Sequence, residues 1–207
     1  MLAVQKMRDG CPTDAIELLK RAEVLAENNE TGLAMTYNNL ACYYRKSLQL
    51  RTALTFLEKA LAIEQKQPMS ASKADTHLNM CAVLSQLSRH DHAMAHAYQA
   101  IIIVQSTLLM NHLPNPAGLM KADKEKNAHK GSAANKDKGM EQLQNSMTSS
   151  KEFKDRIAVL TIAYHNLAVE QEFMHMYHEA VASYRQAKEF ANKYLGTDDT
   201  ISRNLTQ

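Results

Sequence analysis

The 207-residue chain is 45% hydrophobic but only 6% aromatic, has no Trp, and sets 24 basic residues against 22 acidic ones for a net charge of +2. So even a balance excludes the electrostatic signature of a nucleic-acid or membrane-surface binder, and three cysteines without paired spacing (Cys11, Cys42, Cys81) exclude a disulfide framework. The start lacks the order of a signal peptide and no apolar run approaches membrane-spanning length, so a cytoplasmic protein is expected.

With only 6 Gly and 4 Pro, mostly outside the periodic stretches, the chain reads as helix nearly throughout. Met1 to Met7 is part of a first helix, and Gly10-Cys11-Pro12 is a turn. A second helix covers 13 to 28, capped by Thr13, with Ala15, Leu18, Leu19, Ala22, Leu25 and Ala26 on one face. A hairpin follows, from about Gly32 to Lys46 and from Leu50 to Lys66, ended by Gln67-Pro68-Met69-Ser70 because proline lacks the amide a helix needs. The next hairpin runs from about Ala71 to Leu87 and from Asp91 to Met110, with Ser88-Arg89-His90 at its turn.

Residues 111–150 break the pattern. Pro114, Pro116, Gly118, Gly131 and Gly139 lie among Lys, Asp, Asn and Ser without sustained apolar periodicity, which reads as a flexible low-complexity insert. The rival is a degenerate repeat, in which Met140, Leu143 and Met147 supply a turn or two of helix. Ser146, Thr148, Ser149 and Ser150 precede a helix start, where phosphate would meet the positive helix end. Helix resumes near Ser150, with Phe153, Ile157, Leu160, Tyr164 and Leu167 on one face, and its partner runs from Tyr177 to Tyr194. Leu195-Gly196-Thr197 is a stop, and Asp198 can cap a further helix. The expected division is 1–110 helical repeats, 111–150 insert and 151–207 helical repeat plus the start of another. Partial repeats at both ends suggest a piece of a longer array.

One phrase recurs: Tyr37-Asn38-Asn39-Leu40-Ala41, His77-Leu78-Asn79-Met80-Cys81 and Tyr164-His165-Asn166-Leu167-Ala168. An Ala follows each at one fixed distance (Ala53, Ala93, Ala180) and another after the same further step (Ala60, Ala100, Ala187). Fixed self-similarity of this length implies an all-α solenoid of antiparallel helix pairs, each burying one face on its neighbours. Small residues are needed where backbones cross closely, and larger ones fill between: Leu40, Tyr44 and Leu57; Met80, Leu84 and Ala97; Leu167 and Tyr184.

These positions resemble the tetratricopeptide repeat, whose signature is aromatic, Leu, small, aromatic, Ala, aromatic, Ala. The chain gives Tyr37, Leu40, Ala41, Tyr44, Ala53, Leu57, Ala60, then His77, Met80, Cys81, Leu84, Ala93, Ala97, Ala100, then Tyr164, Leu167, Ala168, Gln171, Ala180, Tyr184, Ala187. Spacing near 38 to 40 residues and the Leu195-Gly196-Thr197-Asp198-Asp199 step resemble the long repeats of kinesin light chains. The resemblance implies a right-handed superhelix that binds other proteins along a concave face.

On that fold the asparagines Asn39, Asn79, Asn166 and Asn204 recur in register. An amide both donates and accepts, so a row of them can hold a peptide backbone; equally, each can tie adjacent helices together. The expected contact surface is Met35, Asn38, Asn39, Cys42, Asp75, Asn79, Ile162, His165 and Asn166. The carboxylate clamp of chaperone-binding relatives would place its cations at Asn38, Ile162 and Asn166, none of them basic, which argues against that function. His92/His96 and His175/His178 share helical faces but lack further metal ligands, so neither a metal nor another cofactor is expected. Glu170 and Glu172 diverge on their helix, and neither a phosphate loop nor a nucleophile elbow is present, so the chain is expected to be no enzyme. Expected partners are other proteins, not nucleic acid or membrane. The expected role is that of a scaffold or adaptor. The alternative is a structural segment of a larger ciliary or transport assembly, with a cytoskeletal or ciliary location.

The crossing positions give a first test. Ala53→Leu or Ala180→Phe overpacks a helix crossing and costs about 1–3 kcal/mol, read as a lower urea midpoint.

Overall fold

The computed structural model describes residues 2–67, 72–112, 150–196 and 199–204. Every element among them is helical: α1 (Leu2–Arg8), α2 (Pro12–Leu25), α3 (Glu30–Lys46), α4 (Leu50–Glu64), α5 (Lys73–Gln86), α6 (His90–His112), α7 (Lys151–Phe173), α8 (Tyr177–Phe190), a π-helical turn (Ala191–Leu195) and α9 (Thr200–Asn204). They pair as hairpins α1–α2, α3–α4, α5–α6 and α7–α8, and each second helix packs on the next first helix.

Alanine sets the closeness of that stacking. Ala53, Ala60, Ala93, Ala97, Ala100 and Ala187 have no exposed surface, and Ala41, Cys81 and Ala168 are equally enclosed on the first helices. Leu40, Leu57, Leu84, Leu160 and Leu167 fill the space between crossings. One continuous core therefore runs from Ala41 to Leu167 through the middle hairpins.

The turns obey one rule. Gly10, Leu48, Ser88 and His175 each sit at positive φ (75°, 57°, 58° and 59°), directly after the first helix of their hairpins. In each turn the next amide reaches back five residues: Cys11 to Lys6, Gln49 to Tyr44, Arg89 to Leu84 and Met176 to Gln171, at 2.8–3.0 Å. This closure satisfies a carbonyl that the helix end leaves open, and it requires a left-handed residue. Glycine adopts that conformation freely; the other three turns force a side-chain-bearing residue into it.

Several expectations need correction. Thr13 does not cap α2, which begins at Pro12 with Cys11 as its boundary and no side-chain cap bond. Proline tolerates that first position because its missing amide would have no helical partner. α3 begins two residues earlier than Gly32, where Asn29 accepts from the Gly32 amide at 3.0 Å. Ser150 caps α7 by accepting from the Phe153 amide. Before α9, the Ile201 amide donates to Asp199 at 2.8 Å; Asp198 lies outside the described residues. The 111–150 insert also lies outside them except at its edges, since α6 continues through His112 and Ser150 is the α7 cap; Met140, Leu143, Met147, Ser146, Thr148 and Ser149 are all undescribed.

Among the described residues one helix is long and apolar enough to cross a membrane by composition, contrary to expectation: His90–Met110, with a mean hydropathy of 1.3. Its Ala93, Ala97, Ala100, Ile101 and Val104 are buried in the core shared with α5 and α7. α6 outlasts the repeat frame, in which Val104 matches the end of α4 at Glu64, by about two turns. α7 starts correspondingly early, so the two helices form a longer antiparallel pair than any other neighbours.

The turn geometry yields a quantitative expectation. A left-handed L-residue costs about 1–2 kcal/mol, against which glycine loses about 0.5–1 kcal/mol of chain entropy. Leu48→Gly, at an exposed turn, should therefore raise stability by about 0.5–1 kcal/mol in urea unfolding, whereas Gly10→Ala should lower it.

Candidate protein-interaction groove

Contact between α3 and α5, and between α5 and α7, exceeds any contact between successive second helices. The first helices therefore sit on the inner side of the stack, and their outward residues line its concave face. Met35, Asp75 and Ile162 occupy one register position on three successive first helices. Met35 is 54% exposed, Ile162 is 38% exposed, and Asp75 is exposed between them. Two exposed apolar side chains thus flank one carboxylate across three successive first helices.

The amides divide into two sets. Asn38 is buried and donates to the Thr76 hydroxyl at 2.5 Å, while its carbonyl oxygen accepts from Asn79 at 3.2 Å. Thr76 in turn donates to the Ser72 carbonyl. This relay of Asn79, Asn38 and Thr76 bolts α3 to α5, so Asn38 and Asn79 hold the stack together. Asn39 and Asn166 are half-buried and make no hydrogen bond to the described residues. Asn204 falls in α9, and its side chain is outside the description.

Burial tunes the remaining groove residues. Cys42 is half-buried; desolvation pushes its thiol up, with Arg45 and Lys46 pulling the other way. Asp75 keeps open surface, yet neighbouring atoms crowd its carboxyl and raise its pKa. Arg156 opposes that rise and Glu64 reinforces it. His165 rests on the Tyr184 ring, with centroids 5.6 Å apart, and desolvation lowers its pKa. Its Nδ1 is buried without a hydrogen-bond partner among the described residues.

Other polar residues fasten the hairpins in ways the sequence pattern did not reveal. Ser183 donates to Gln171 at 2.7 Å, and Gln171 donates to the Tyr98 hydroxyl at 3.1 Å, so one buried amide joins α6, α7 and α8. Glu170 is 2% exposed and lies 2.8 Å from His90 Nδ1, whose ring stacks on Phe173 with centroids 4.2 Å apart. Cys81, nearby in the core, has its thiol pushed up to about 12 by burial and then by Glu170. Glu172 instead accepts from Tyr184, so the two carboxylates diverge as expected.

The helical histidine pairs do not converge as pairs. His92 faces Asp91, His96 faces His77, and His175 faces Tyr177. Among the described residues no group of three or more His, Cys, Asp or Glu could hold a metal ion.

No protein-family model matches the chain, and no curated protein matches it in sequence. Among solved structures it is similar to MamA, with a TM-score of 0.53 and 18% identity over 96% of this chain and 74% of that one. Weaker likenesses are a putative kinesin light chain of Podosopora anserina with nearly identical TPR-like repeats (TM-score 0.48, 18% identity, 93% and 92% covered) and BtubC of P. vanneervenii (TM-score 0.46, 17% identity, 96% and 80% covered). The chain has the tetratricopeptide-repeat fold. At these identities the likeness concerns the fold alone. Of the asparagines that recur in register, Asn79 is structural through its bond to Asn38, whereas Asn39 and Asn166 take no part in that relay.

The division between the amides is measurable. Asn38→Ala strands buried partners and should cost about 1–3 kcal/mol. Asn39→Ala, half-buried with no side-chain hydrogen bond among the described residues, should stay within about 0.5 kcal/mol.

Proposed function

We propose that this tetratricopeptide solenoid is a non-catalytic scaffold that holds an extended or helical segment of another protein against its first helices. The observation that supports it most is the open row Met35–Asp75–Ile162, in which exposed apolar side chains recur at one register position of successive first helices. Such a row offers two exposed apolar contact points on either side of a polar step, and interface energy concentrates in a few anchors of this kind. Asn39 and Asn166 lie on the same helices as half-buried amides, suited to a peptide backbone rather than to particular side chains, and His165 packs beside them on Tyr184. Cys42 contributes a small, partly covered surface between them. Asn38 and Asn79 support the groove from within by fixing α3 against α5.

With one carboxylate and mostly neutral side chains, the surface should bind with weak salt dependence. A random-peptide display selection on the folded chain tests the reading. Selected peptides should lose at least about tenfold in affinity on the Met35→Glu/Ile162→Glu double variant, the equivalent of one strong anchor. They should be unaffected by Val181→Glu, which places a charge on an exposed second-helix residue. Binders indifferent to the groove charges would move the interaction to another surface.

A further inference from the structure

The hairpins repeat one cross-helix contact in different chemistries. In the α3–α4 hairpin, Tyr37 meets Phe56 with ring centroids 5.7 Å apart. Forty residues on from each (37 to 77, 56 to 96), the α5–α6 hairpin places His77 against His96, with centroids 5.1 Å apart and their Nδ1 atoms separated by 2.8 Å. The central hairpin thus carries a titratable pair where its neighbour carries an inert aromatic one.

We propose that the His77–His96 pair makes the α5–α6 hairpin an acid-sensitive joint, held while at most one ring is charged and released when both are. At 2.8 Å one ring donates its Nδ1–H to the lone pair of the other. A first proton enters at the free Nε2 of the donor ring and leaves that bond intact as imidazolium to imidazole. The acceptor ring already carries its hydrogen on Nε2, so a second proton has only the bonded Nδ1 lone pair to occupy. Two N–H groups and two positive charges would then face each other, and the rings must part.

The surroundings offer the second charge no relief. His77 is 7% exposed. Lys73 acts on it from its own helix, His92 acts on His96 from α6, and no charged group on the described residues of α3, α4 or α7 enters the balance. His92 is itself paired with Asp91 at the surface. Burial first, then His96 and Lys73, pull the His77 pKa down from 6.5 to about 4; burial and His92 lower His96. Both folded values lie below the unfolded one, so the unfolded chain binds more protons as pH falls. The contribution to stability is complete above pH 6.5 and drains away as pH falls towards about 4. α5 also carries Thr76 and Asn79, which hold Asn38, so release of the joint reaches the bolt between α3 and α5.

Urea unfolding at pH 7.5 and pH 5.0 tests the joint, with His77→Tyr/His96→Phe restoring the chemistry of the preceding hairpin. Acidification should raise the unfolding constant of the wild-type chain by about tenfold or more beyond its effect on the double variant. Equal responses would overturn the proposal. A second measurement needs no substitution: an NMR titration of the wild-type imidazoles should find His77 protonating at least about one pH unit below the ordinary value. Both rings titrating near pH 6.5 would overturn it, including the case in which the double variant fails to fold.

Discussion

Close approach of helices at alanine is the constraint on which the molecule depends. An alanine crossing brings backbones together without a large side chain to separate them, and every hairpin from α3 to α8 uses one in the same frame. Because interiors are packed to crystal-like density, that frame admits little variation in volume. Each hairpin thereby presents its next neighbour with a surface of fixed shape, and the array propagates by repetition of that fit.

Fixed crossings leave polar residues to determine how neighbours are oriented. Asn38 with Thr76 and Asn79 locks α3 to α5, and Gln171 with Ser183 and Tyr98 locks the following hairpins. These relays lie at different positions in the repeat, so they are individual solutions laid on a common apolar scaffold. Buried amides cost free energy unless their bonds are made, which confines each relay to the one arrangement that completes it.

The helical hairpins were legible because their signal is periodic: small residues at fixed steps place nearly every helix within a few residues of its observed limits. The groove was less legible. Adjacent asparagines such as Asn38 and Asn39 differ by about a quarter turn on the helix, and the orientation of the next hairpin decides which one is enclosed. Local spacing likewise groups His92 with His96, whereas the contact that forms is between His77 and His96 across the hairpin. The alignment of Tyr37 and Phe56 with those two histidines was the available signal, but it becomes informative only once the pairing of helices is known. Gln171 similarly departs from the aromatic pattern because its role is a bond across three helices.

The α6–α7 pair also determines how the array should come apart. It extends about two turns beyond the other neighbours and adds the His90–Glu170 contact beneath Phe173, so the hairpins on either side share one strong junction. At the other end, α1 buries no residue completely, and Val24 and Leu25 of α2 are 72% and 84% exposed. In a linear array, where each unit is stabilised by its neighbours, such unequal junctions give unequal cooperativity. The α6–α7 junction therefore couples α5–α6 to α7–α8 more tightly than the smaller α2–α3 and α4–α5 junctions couple the hairpins before it.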